Sequence, residues 1–258
     1  SINGEAIASA PVINGVANLV FEPLTKEDVA KLVVIGYNRV TEIKELEIIP
    51  ADNPYLIYDG HEFHDDNNQL DYGETVDLSM KIKNVGLKPT DNVTVKLSSD
   101  SKYVTISKSS VQISSIQSED VINLENAFTI NIEPNVPNQT KIDFVVTCTN
   151  GVDSWTSTFY EYAYAPVFVV NNIKLNTDKI IGPGETADFE LKFDNIGGST
   201  AHNVITEVFS SSSDIEFENI SMLTDEVLAG ETFTVTTKFN IGQNVLIGSV
   251  YEIMCSVN

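Results

Sequence analysis

A chain of 258 residues with formal net charge −22 and 42 % hydrophobic residues is too apolar for a disordered acidic tail and reads as globular protein. So negative a surface repels phosphate backbones, which argues against nucleic acid as a partner and favours cations, calcium above all. No apolar run approaches the roughly 18 residues of a membrane-spanning helix, so no membrane span is expected.

The chain opens SINGEAIASAP, without Met, a basic region or an apolar stretch, as expected of a piece cut from something longer. In residues 1–52, strands are expected at 16–21, 32–37 and 40–49, with LTKEDVAK crossing between sheets. Three or four strands are few for an independent sandwich, so this stretch is expected to be the second half of an Ig-like domain. A proline-bearing linker at 50–54 leads into residues 53–165, and a second at 163–166 leads into 166–258. Short connections with proline favour a semi-rigid rod.

The two longer stretches repeat each other. Residues 73–104 (GETVDLSMKIKNVGLKPTDNVTVKLSSDSKYV) align without a gap on 184–215 (GETADFELKFDNIGGSTAHNVITEVFSSSSDI), at a constant offset of 111 residues. That is domain size, beyond the roughly 20–50 residues of a solenoid repeat. In the first copy Val76, Leu78, Met80 and Ile82 alternate with polar residues; in the second, Ala187, Phe189, Leu191 and Phe193 do so. Period two marks a half-buried strand. Further strands are expected at 92–98, 102–106, 111–116, 127–133, 141–149 and 154–163. The second copy repeats them at 203–209, 214–218, 231–241 and 249–257, without the partner of 154–163, as if its last strand were missing. The fold class is all-β, tandem Ig-like antiparallel β-sandwiches arranged as a rod.

Side chains able to do chemistry are sparse. The loop DGHEFHDDNNQLDYGET places oxygens on Asp65, Asn67, Gln69 and Asp71 at alternate positions, with Glu74 following. Hard cations take six to eight oxygens, which makes this loop a candidate calcium site. Against it, Leu70 stands at the sharp-turn position and Val76 where a bidentate glutamate belongs; the alternative is a solvated Asn/Asp-rich turn. No cofactor other than calcium is expected. His61 and His64, three apart, would need further convergent ligands to hold zinc. Cys148 and Cys255, the two cysteines, occupy equivalent apolar strands and are expected to point into their own cores, unsuited to catalysis. Trp155, Tyr160 and Tyr162 crowd one strand and are candidate glycan-binding residues, the alternative being packing. Asn92, Asn138 and Asn219 match the glycosylation sequon.

The stretch AKLVVIGYNRVTEIKELEI (30–48), preceded by INGEAIASAPVINGVANLVFEPL, resembles the Ig-like domain that follows the catalytic domain of gingipain-like cysteine peptidases of Bacteroidetes. The pattern DDNNQLDYGETVDLSMKIKNVG (65–86), echoed by IGPGETADFELKFDNIG (181–197), resembles bacterial cell-adhesion-related β-sandwich modules, whose signatures here are Gly-Glu-Thr and Asn-x-Gly. The resemblance implies a secreted or surface protein whose peptidase domain lies upstream, so no catalytic residue carries over. The expected function is therefore a non-catalytic extracellular spacer or adhesion region, with the peptidase domain and a host surface protein or glycan as partners. The alternative is a carbohydrate-binding module using the aromatic strand 155–164.

Overall fold

The structure, a computed structural model, describes residues 1–13, 15–19, 21, 28–48, 53–175 and 181–258. Among them there is no helix, and eighteen strands follow one another. β1 (Asp28–Val34) and β2 (Glu42–Ile48) form a two-stranded antiparallel hairpin. The strand expected at 32–37 therefore begins earlier and takes in the last four residues of LTKEDVAK, expected as a crossing between sheets; its first four lie outside the described residues. At 16–21 the described residues form only the isolated bridge Ile13–Val16.

The first sandwich comprises β3 (Leu56–His64), β4 (Leu70–Asp71), β5 (Thr75–Asn84), β6 (Thr90–Ser98), β7 (Val104–Lys108), β8 (Ser110–Ile116), β9 (Val121–Ile132), β10 (Thr140–Thr149) and β11 (Ser154–Tyr164). One sheet runs β3-β5-β9-β7 and the other β4-β11-β10-β6-β8. The period-two residues meet between them: Val76, Leu78, Met80 and Ile82 pack with Val93, Val95, Leu97, Phe128, Ile130, Ile142, Phe144 and Val146. The strand pairing is antiparallel except for β4 on β11.

The second sandwich repeats this plan with β12 (Phe168–Leu175), β13 (Thr186–Asn195), β14 (Ala201–Ser210), β15 (Ile215–Phe217), β16 (Ser221–Val227), β17 (Thr232–Ile241) and β18 (Ile253–Val257). Its sheets run β12-β13-β17-β15 and β16-β14-β18, around a separate core of Ala187, Phe189, Leu191, Phe193, Val204, Val208, Phe233, Val235 and Phe239. Among the described residues, nothing pairs with β18 on the side where β11 pairs with β10.

Three strands escape the alternation rule for a visible reason. β3 carries a bulge between Tyr58 and His61, with Gly60 at φ 123°, so LIYDGHEFH reads as loop although it is an edge strand. β9 starts at Val121, ahead of the expected 127, because its register slips opposite Leu78 and Met80, where Asn126 takes φ 44°. β12 slips between Val170 and Asn172. One expectation is corrected. Cys148 is buried, but Cys255 is exposed. It pairs with the fully buried Val208 and so shares the inward face, yet no strand among the described residues covers it.

Candidate functional site

Each sandwich grips the chain that enters it, through the Asn-x-Gly signature. In the first, the wholly buried Asn84 accepts hydrogen bonds at Oδ1 from the N–H groups of Tyr55 (3.1 Å) and Gly86 (3.0 Å), and its Nδ2 donates to Lys88 O (2.8 Å). In the second, Asn195 accepts from Val167 and Gly197 (3.1 Å each) and donates to Ser199 O at 2.9 Å. Only a side chain that both accepts and donates can bind both sides of a turn in this way. The glycine two residues on is needed for space. A Cβ on Gly86 would stand 2.1 Å from Asn53 O, and one on Gly197 2.2 Å from Ala165 O. The signature is therefore a clasp on the linker, Pro54-Tyr55 in one copy and Pro166-Val167 in the other.

The linker between the sandwiches is held a second time. Asn138 Oδ1 accepts from Ala165 N (3.2 Å) and from Gly198 N (3.1 Å) across the junction. Gly198 lies against Tyr164, whose Cδ1 would be 2.3 Å from an added Cβ. The first copy has Leu87 at the equivalent position, 61 % exposed, so this contact belongs to the junction between the two sandwiches alone.

The candidate calcium loop takes part in that junction. Tyr72 N donates to Tyr164 O, and Gln69 Nε2 donates both to Asp71 Oδ1 (2.8 Å) and to Gly198 O (3.2 Å) of the second sandwich. Asp71 Oδ2 accepts from Asn67 Nδ2 (2.8 Å), Asn67 Oδ1 from Gln69 N, and Asp65 Oδ1 from Asn68 N. The five candidate ligands thus lie together, but Asn67, Gln69 and Asp71 spend their polar atoms on one another. Burial raises the Glu74 pKa; the Asp71 N–H bond to it acts the other way, and the charges of Asp65 and Asp71 raise it further. A cleft of about 750 Å³ opens beside the loop, with His202 and Glu226 of the second sandwich on its far wall. Among the described residues no three His, Cys, Asp or Glu side chains converge on a metal position.

The histidines are engaged separately. His61 faces inward opposite Met80, its Nδ1 2.5 Å from Tyr58 Oη and its Nε2 3.4 Å from Glu161. Burial lowers the His61 pKa and raises those of Glu161 and Tyr58, the last to about 12, with the Glu161 charge adding to the Tyr58 shift. His64 faces outward, its Nε2 2.5 Å from Ser79 Oγ. Three residues apart on a strand, the two imidazoles cannot share a ligand.

The aromatic strand divides between core and surface. Trp155 is buried in the first core opposite Cys148, which removes it from any exposed glycan platform; the reason is its place on the inward face of β11. Phe159 joins it, stacked on Phe144 and Tyr58. Tyr160 and Tyr162 face outward and are exposed, but their rings stand at 86° to each other, with the Lys141 ammonium 4.5 Å from the Tyr160 ring centre. They present separate edges and faces instead of a flat stacking surface.

Residues 54–157 match the CARDB family. That stretch, from the clasped linker to the first residues of β11, is thus similar to a cell-adhesion-related Ig-like β-sandwich module. No curated protein matches the chain. Among solved structures it is similar to the native conformation of alpha-2-macroglobulin from E. coli (11 % identity over 84 % of this chain and 17 % of that one, TM-score 0.31). It is also similar to the secreted serine protease VesC from Vibrio cholerae (12 %, 79 % and 50 %, TM-score 0.28) and to red sea bream transglutaminase (9 %, 79 % and 29 %, TM-score 0.32). The chain thus spans half or less of the length of these proteins.

Proposed function

We propose that this chain is a non-catalytic extracellular region in which Ig-like β-sandwiches act as a stiff spacer and adhesion surface for a gingipain-like cysteine peptidase domain. Its units are residues 1–52, 53–165 and 166–258. The observation that carries this reading is the double grip on the linkers: Asn84 and Asn195 clasp the incoming chain, and Asn138, Gln69 and Tyr164 hold the junction. The match to CARDB over 54–157 supports the adhesion-related part. Against an enzyme stands the placement of the nucleophiles. Burial raises the Cys148 thiol pKa to about 12, and although Cys255 is exposed, His61, His64 and His202 bond to Tyr58, Ser79 and Glu226, not to a thiol. A thiol needs an electropositive, accessible setting to react as a nucleophile.

The chain is tested on peptides cleaved after arginine or lysine, beside Cys148→Ser and Cys255→Ser variants. No thiol-dependent turnover is expected; turnover abolished by either substitution refutes the proposal.

A further inference from the structure

The two copies bury matching strands but differ on one outer face. In the sheet β16-β14-β18 the residues of β14 that point away from the core include Ile205, Glu207 and Phe209, all exposed. Leu223 of β16 stands beside Ile205 and Met254 of β18 beside Phe209, whereas Glu207 lies between Ser221 and Ser256. Small neighbours leave the carboxylate open above the sheet, with Ser256 Oγ donating to it at 3.4 Å. At the equivalent positions of β6 the first copy has Thr94, Lys96 and Ser98, with Gln112 beside Thr94. A polar face around one cation is thus replaced, in the second copy, by an apolar face around one anion. β14 is the middle strand of its sheet, so this face does not depend on what borders β16 or β18.

The turn between β1 and β2 carries the complementary set. Gly36 O accepts from Arg39 N (3.2 Å) and Asn38 takes φ 57°, which closes a tight turn at the tip of the hairpin. Ile35, Tyr37 and Val40 are 76 %, 102 % and 95 % exposed around Arg39, the single arginine of the chain. Arg39 forms no ion pair among the described residues. Apolar residues exposed singly are ordinary. Three of them around one guanidinium have the make-up of an interface centre, where Tyr and Arg carry much of the binding energy.

We propose that the β1–β2 turn of one copy docks on the outer face of the second sandwich of another copy. Arg39 then meets Glu207, while Ile35, Tyr37 and Val40 pack against Ile205, Phe209 and Leu223. Charge complementarity selects this occupant. A carboxylate at the centre of an apolar face calls for a cation within an apolar surround, and the hairpin tip supplies both. Pairing two second sandwiches face to face would instead set Glu207 against its own counterpart. The corresponding face of the first sandwich, with Lys96 at its centre, repels Arg39. The contact joins two different surfaces, so each copy keeps one of each free and copies add head to tail into an open chain. Repulsion between chains of net charge −22 is confined to a Debye length of about 8 Å at physiological salt, which lets opposite charges in contact decide. A single hairpin tip covers less than about 1,200 Å² in total, so the contact is of the weak, transient class. This inference goes beyond the spacer role and does not depend on it.

The test is sedimentation velocity on the whole chain, from about 5 µM to about 1 mM at about 0.15 M salt. The weight-average mass should rise with concentration and pass twice the 28.3 kDa of one chain. Arg39→Glu and Glu207→Lys should each weaken association at least about tenfold. The double variant carrying both should associate like the parent, because the pair returns with its signs exchanged. Phe209→Ser, which installs the residue of the first copy, should weaken association as well. All three positions are exposed, and an unchanged thermal unfolding curve verifies that each variant is folded. A chain that stays monomeric across the range overturns the proposal. So does association that survives both single reversals, or a double variant no stronger than the single ones. A mass that levels at twice one chain means symmetric pairing and overturns it too.

Discussion

Removing the clasp should destabilise one sandwich and leave the stability of the other unchanged. Asn195→Ala deprives the N–H groups of Val167 and Gly197 of their acceptor and the carbonyl of Ser199 of a donor, in a side chain with no exposure to water. Each buried donor left unpaired costs about 1–3 kcal/mol, so two of them, with the small void left by the amide, come to about 4 kcal/mol. Against a domain stability of roughly 5–15 kcal/mol this is a large fraction. Asn84→Ala should cost the first sandwich a similar amount, through Tyr55, Gly86 and Lys88. The single tryptophan, Trp155, is buried in the first core and so distinguishes the two. In urea, Asn84→Ala should lower the midpoint of the fluorescence transition. Asn195→Ala should leave that midpoint in place and lower the transition seen in far-ultraviolet circular dichroism. A loss below about 1 kcal/mol in both variants would refute the clasp, because it would mean that the linker N–H groups find other partners.

Other consequences can be checked on the same material. Thr206, wholly buried with its hydroxyl unpartnered among the described residues, stands where the first copy has Val95; Thr206→Val should stabilise the second sandwich by about 1 kcal/mol in urea titration, and destabilisation would mean the hydroxyl is bonded. Because burial lowers the His61 pKa below 6.5, the unfolded chain takes up a proton before the folded one as pH falls. Stability of the first sandwich is thus fully present above pH 6.5 and is lost on acidification through the window below it. His61→Ile should flatten that slope, whereas an unchanged slope would assign it elsewhere. Glu161, whose pKa burial raises, works with the opposite sign above pH 4.5. Since Asn67 and Gln69 already supply donors to Asp71, millimolar calcium should move the melting temperature by less than about 1 °C; a larger shift abolished in Asp71→Asn would show that the loop rearranges around the ion.

What could be read from residues alone follows the alternation of Val76 to Ile82 and Ala187 to Phe193, which fixes the inward face and hence the sandwich. Alternation failed at bulges. Gly60 and Asn126 each take a positive φ and shift the pattern by a residue or more, so β3 and the first half of β9 did not look like strands. The meaning of Asn-x-Gly was also hidden. A turn signal and a linker clasp have the same three letters, and only the approach of Asn53 O and Ala165 O to the glycines tells them apart. Alternation along 154–164 does separate Trp155 from Tyr160 and Tyr162, as the two faces of the strand bear out. The acidic loop was recognised as a cluster of oxygens, but the use of Gln69 to reach Gly198 spans 129 residues and leaves no local trace.

A stiff junction is the centre of the proposed role, and pulsed dipolar spectroscopy measures it most directly. Spin labels at the exposed positions Asp91 and Glu226, in a Cys255→Ser background, would report the spacing of the two sandwiches. A single narrow distance distribution is expected, broadening when Asn138→Ala or Gly198→Leu disrupts the shared bonds and the Tyr164 contact. A distribution already broad in the parent chain, and unaltered by either substitution, would contradict the account.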